Sequence, residues 1–133
     1  MIKIKKGIDI HLVGEAKKEV EFDEQTDSTI SKEQLLEILN SNNKKIINIG
    51  RFSKEKGQER LIDAFQKAWN EDKSIYLIII GGYGNEYNQI LNKVFDMDCR
   101  QHIIIIKYMS NPFPVLKKCD YFVIIYCSLL WCV

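Results

Sequence analysis

One short stretch has the residue types to bind an anion: Gly50-Arg51-Phe52-Ser53-Lys54-Glu55-Lys56-Gly57. It separates an apolar run, Lys45 to Ile49, from a segment in which Leu61, Ile62, Phe65, Ala68 and Trp69 recur at helical spacing. A guanidinium such as that of Arg51 chelates phosphate oxygens through paired N–H bonds, and Lys56 adds a compact point charge. Gly50 removes a side chain where a ligand could approach the backbone. Gly57 falls at a helix start, where uncommitted N–H groups and the positive end of the dipole attract anions. Together these residues are chemistry for a diphosphate. They are also the residues of an ordinary surface turn, in which glycines redirect the chain and the charges stay solvated.

A second glycine cluster, Gly81-Gly82-Tyr83-Gly84, follows the apolar run Ile75 to Ile80. It is not the dinucleotide fingerprint. Counting from Gly82, the pattern reaches Gly84 and then Tyr87 where the third glycine is required, which argues against a dehydrogenase. It reads either as a tight strand-to-helix turn or as a close backbone approach to a sugar or phosphate. The four cysteines, Cys99, Cys119, Cys127 and Cys132, show neither a C-x-x-C pair nor zinc spacing. They read as free thiols in a reducing cytoplasm, with Cys119 as a small core residue. His11 and His102 sit in no nucleophile or metal pattern, and Asp120 reads as a cap or turn residue. Neither a metal nor a resident cofactor is expected.

The elements that must hold these loops follow from the patterning. The chain has 133 residues, 46% apolar and 28% charged, as expected for one soluble domain. Its net charge of +1 provides no global field for nucleic acid or an anionic membrane. The apolar run Tyr121 to Val133 covers thirteen residues, short of the roughly 20 needed to span a bilayer as a helix. Met1 to Lys6 alternates Ile and Lys and leads into no signal-peptide pattern. Residues 1–28 read as an entry segment with an acidic, solvated stretch from Glu15 to Asp27 and a short strand near Ile8 to Leu12. Residues 29–133 read as the folded unit. Ser31 and Gln34 have capping-box spacing before a helix with Leu35, Leu36, Ile38 and Leu39 inward. Strands are expected at Lys45–Ile49, Ile75–Ile80, Ile103–Ile106 and Tyr121–Ile125. Helices are expected between them, one marked by Ile90, Leu91, Val94 and Phe95. A short one has Asn111 as cap and Pro112 at its first position. Strands apolar on both faces, alternating with helices, predict a Rossmann-like, doubly wound α/β fold with a mostly parallel sheet.

Three segments in this order, "INIGRFSKEKGQERLIDAF", "YLIIIGGYG" and "NPFPVLKKCDYFV", resemble the C-terminal donor-binding domain of GT-B glycosyltransferases of the large retaining group 1 family. The similarity runs from about Ile46 to Val123, and the segment around Ile8-Asp9 resembles the family's entry into this domain. Bacterial enzymes of teichoic acid and other cell-surface glycopolymers are especially similar. The resemblance implies that Arg51 and Lys56 grip the diphosphate of a nucleotide-sugar, which is a substrate rather than a cofactor. They would neutralise the leaving group as the sugar–phosphate bond breaks, in place of a metal. It further implies that Gly50, Gly57, Gly81, Gly82 and Gly84 line the donor cleft. Lys107, Tyr108 and Met109 would contact the nucleobase, largely through backbone groups.

The sequence also departs from the family. After "CDYFV" the family continues with a Ser-rich turn and a paired-glutamate motif, whereas this chain reads "IIYCSLLWCV". The resemblance therefore implies a truncated domain that lacks the N-terminal Rossmann partner and catalyses little alone. The alternative expectation is a non-catalytic remnant that self-associates through an uncovered sheet edge and its apolar C-terminal run.

Overall fold

The computed structural model describes residues 2–6, 17–24, 26–82 and 84–125, with residues 2–6 described through their backbone alone. Five strands form one sheet: β1 (Ile2–Lys6), β2 (Lys45–Ile49), β3 (Tyr76–Ile80), β4 (Ile103–Ile106) and β5 (Tyr121–Ile125). Four helices accompany them: α1 (Lys32–Leu39), α2 (Gln58–Glu71), α3 (Tyr87–Phe95) and α4 (Phe113–Lys117). The strand order is β1-β5-β2-β3-β4. β2, β3, β4 and β5 run parallel, and β1 joins β5 antiparallel. This is the Rossmann-like α/β fold expected from the sequence.

β3 and β4 are apolar throughout because both faces are covered, and β2 is apolar but for the buried Lys45 and Asn48. On one face Leu77, Ile79, Ile103, Ile105, Val123 and Ile125 meet Leu61, Ile62 and Phe65 of α2 and Ile90 and Val94 of α3. On the other, Ile47, Ile78, Ile80, Ile104 and Ile106 meet Leu35 and Leu39 of α1 and Val115 and Leu116 of α4. A strand with one wet face would have alternated apolar and polar residues. The chain winds outward from β2 through β3 to β4, then crosses on the opposite face to place β5 on β2's other side. Right-handed crossovers require that change of face.

Local signals were accurate where they were strong. Ser31 caps α1 with the reciprocal Gln34 contact of a capping box. His102 is held by Nδ1 at 3.0 Å from the Ile75 carbonyl and stacks on Tyr76. Asp120 accepts the Lys45 N–H at 2.9 Å, and its own N–H donates to the Lys45 carbonyl at 2.8 Å. Cys99 and Cys119 are free thiols, and burial pushes the Cys119 thiol up to about 12.

The differences are informative. β1 forms where only an Ile–Lys alternation was noted, and pairs with β5 over five positions. β5 is therefore an inner strand, and among the described residues β1 and β4 are the edges of the sheet. The strand expected near Ile8 to Leu12, His11, Cys127, Cys132 and the tail after Ile125 lie outside the described residues. α4 starts one residue late, because Pro112 is its N-cap, and Asn111 Oδ1 accepts the Phe113 N–H at 3.3 Å. Ala68 is exposed, and Phe95 is 75% exposed despite its helical spacing. Among the described residues no helix is long and apolar enough to cross a membrane.

Candidate functional site

The carboxyl ends of β2, β3, β4 and β5 share one edge, and the winding direction reverses between β2 and β5. Ligands of open α/β sheets bind beyond such a switch point. The Gly50–Gly57 loop leaves β2 at that place. Its backbone is pinned along its length. Gly50 N–H donates to the Ile80 carbonyl at 3.0 Å. Phe52 then turns inward and is fully buried. A turn of 3₁₀ helix at Lys54–Lys56 closes with Lys56 N–H on the Ser53 carbonyl and Gly57 N–H on the Lys54 carbonyl, both at 3.1 Å.

Gly57 ends that turn and begins α2 in the left-handed region, with φ 64°. A side chain there would be strained and would collide with Ile125. No side chain caps the start of α2, so its first-turn N–H groups lie at the loop without a side-chain acceptor. Arg51 and Lys56 are both exposed. Arg51 Nη2 lies 3.8 Å from Glu55 Oε2, a solvated pair of the kind worth about 0–1 kcal/mol. The methylenes of Lys56 cross Gly50, with Cδ 3.6 Å from the place a Cβ would occupy.

The second glycine cluster serves the first loop. A Cβ on Gly81 would enter the Phe52 ring, and one on Gly84 would strike the Phe52 backbone. Tyr87 meets the same ring edge-on at 5.1 Å. Packing against Phe52 thus accounts for the glycines at 81 and 84. Gly82 faces Tyr108, whose Cδ1 is 3.8 Å from its Cβ position.

The loop after β4 is held differently. Lys107 N–H donates to the Asp27 carbonyl at 2.8 Å. Lys107 Nζ lies 3.8 Å from Asp27 Oδ2 and 5.0 Å from the Tyr87 ring. Burial, and then the Asp27 charge, push the Tyr87 hydroxyl pKa up. Thr26 Oγ1 donates to the Tyr108 carbonyl at 2.6 Å and accepts the Tyr108 N–H at 3.2 Å. Asp23 accepts the Ser110 N–H at 2.9 Å and also the Ser110 hydroxyl. The Met109 side chain is core, while Tyr108 is 44% exposed. The stretch read as a solvated connector therefore contains the anchors of this loop.

Five residues escaped the sequence reading. Phe52 carried a usable signal, since it is a large apolar residue inside a polar loop. The anchors Asp23, Thr26 and Asp27 carried none, because their partners lie 80 or more residues away. Gln58 is buried and bridges the Gly50 and Arg51 carbonyls. Larger hollows lie elsewhere: a groove of about 420 Å³ involves residues 17–20, α1 and α4, and another of about 370 Å³ lies beside Phe95. Among the described residues, no three His, Cys, Asp or Glu side chains are grouped to hold a metal ion.

A Rossmann-like sheet with exposed Arg51 and Lys56 on the loop at its switch point places the chain among the open α/β domains. Residues 7–126 match the family of glycosyl transferases group 1, and the chain belongs to that family. It is 32% identical over 87 residues to an uncharacterized glycosyltransferase of Methanocaldococcus jannaschii, a match covering 64% of this chain and 20% of that protein. The chain thus spans about a fifth of the length of that relative.

Proposed function

We propose that this chain is the donor-binding part of a sugar-transferring enzyme, and that its Gly50–Gly57 loop grips the diphosphate of a nucleotide-sugar. The observation that carries the reading is the loop itself. Arg51 and Lys56 are exposed on a pinned backbone at the switch point, beside a helix start without a side-chain cap. Arg51 donates to phosphate oxygens in pairs, Lys56 adds charge, and the first N–H groups of α2 donate to the remaining oxygens. As the bond between sugar and phosphate breaks, negative charge grows on the leaving diphosphate, and these fixed positive groups stabilise it. Gly81, Gly82 and Gly84, with Lys107, Tyr108 and Met109, form the walls, with the base beside Tyr108.

In the whole enzyme a second Rossmann domain would bring the acceptor, a cell-envelope glycopolymer of the teichoic acid kind, and transfer would proceed with retention. This chain alone binds the nucleotide and transfers little. The test is a titration of the chain with UDP, GDP and CDP beside their monophosphates. At least one diphosphate is expected to bind about tenfold or more tightly than its monophosphate, given the worth of charge-assisted phosphate contacts. Equal affinity for the mono- and diphosphates would overturn the assignment.

A further inference from the structure

We propose that Gln58 is a positioning residue: its amide holds the Gly50 and Arg51 carbonyls so that Arg51 is presented ready to meet the diphosphate, a role that rests on the donor-site reading. Gln58 is the first residue of α2 and is 1% exposed. Its Nε2 donates to the Arg51 carbonyl at 2.7 Å and to the Gly50 carbonyl at 3.2 Å. These carbonyls belong to the two peptide planes that flank the Arg51 Cα. Fixing both planes fixes the direction of the Arg51 Cα–Cβ bond, leaving only side-chain rotations free. Phe52 locks the following residue in the core.

The residue type is specific to the task. An amide NH₂ carries two donors and no charge. A carboxylate would face two carbonyl oxygens, and an apolar group would donate to neither. The orientation of the amide is unambiguous, because exchanging its O and N would set Oε1 against the Arg51 carbonyl. Oε1 has no partner among the described residues and, with Ser53 and Glu86, Gln58 lines a cavity of about 110 Å³. The two carbonyls therefore dictate the orientation of the amide. α2 does not need this amide for anchorage, since Leu61, Ile62 and Phe65 bury its inner face. The consequence of losing it falls on the loop, where a diphosphate would then have to order Arg51 as it binds.

Two variants of the 133-residue chain test this. Gln58→Met keeps the volume and removes the donors; Gln58→Asn keeps the amide but is one methylene short. Amide hydrogen exchange over residues 51–57, without nucleotide, is expected to quicken about tenfold in both, as for loss of a net hydrogen bond. Affinity for UDP, measured on folded protein, is expected to fall about tenfold. Adding Arg51→Ala to Gln58→Met should weaken binding by less than about twofold beyond Arg51→Ala alone, because both changes remove one interaction. A merely structural Gln58 would lower the melting temperature and leave affinity unchanged, which overturns the role. Unchanged exchange also overturns it. Faster exchange together with wild-type protein that binds no nucleoside diphosphate overturns the donor reading, and the positioning role with it. If Gln58→Met does not fold, Gln58→Asn carries the same readings.

Discussion

The loops after β2 and β4 stand on the same edge of the sheet but are built on opposite plans. The β2 loop is held by near neighbours: its own 3₁₀ turn, Gln58 a few residues on, and Phe52 seated against Gly81 and Gly84. Its cations stay outside, attached to a backbone held by these contacts. The β4 loop is held from a distance by Asp23, Thr26 and Asp27, and the backbone groups of Lys107 and Tyr108 are engaged in that attachment. The first plan leaves charged side chains exposed at the switch point. The second leaves the side chains of Lys107 and Tyr108 about half-exposed while their backbone is tied down.

If the two plans differ as described, breaking the lock of the first loop costs most. Phe52→Ala removes a fully buried ring and is expected to destabilise the chain by about 3–5 kcal/mol in urea unfolding. A loss below about 1 kcal/mol, the scale of an ordinary surface change, would show that the loops are not keyed together. Gly81→Ala forces a methyl into the same ring and is expected to cost about 1–3 kcal/mol by overpacking. The tether of the β4 loop is weaker. Asp23→Ala removes the acceptor of Ser110's N–H and hydroxyl, and should cost about 1 kcal/mol while quickening exchange of the Ser110 amide. Unchanged exchange would mean that the loop holds itself. Glu55→Gln should be the mildest change. It frees Arg51 of a solvated partner, with under about 0.5 kcal/mol of stability at stake and roughly a twofold gain in diphosphate affinity.

The same contrast explains what was legible in the sequence. The four parallel strands were readable because burial concentrates apolar residues in them: β3 and β4 are near-continuous aliphatic runs, β5 is apolar with two aromatics, and β2 is broken by Lys45 and Asn48. The turn after β2 was readable because its glycines and cations fall within eight residues, whereas the seat of Phe52 against Gly81 and Gly84 is made by another loop. α4 slipped by one position because proline serves equally well as N-cap or first helical residue. β1 was missed because an Ile–Lys alternation of five residues acquires meaning only beside the strand it pairs with. Phe95 marks α3 as its spacing implied yet stays exposed, because helical spacing does not say where the neighbouring surface ends. The anchors of the β4 loop could not be read at all, since nothing local marks a carboxylate whose partner lies 87 residues on. Gln58 was hidden for another reason: a buried amide bridging two carbonyls has no signature distinguishing it from a solvated glutamine at a helix start.

The central claim is that Arg51, presented by a rigid loop, meets the diphosphate of a nucleotide. The direct measurement is calorimetric titration of the wild-type chain and Arg51→Ala with UDP, GDP and CDP. The account predicts saturable heat with at least one of them and affinity about 10- to 100-fold weaker in Arg51→Ala, the worth of a charge-assisted phosphate contact. Heat with none of the three, or equal binding by both proteins, would contradict it.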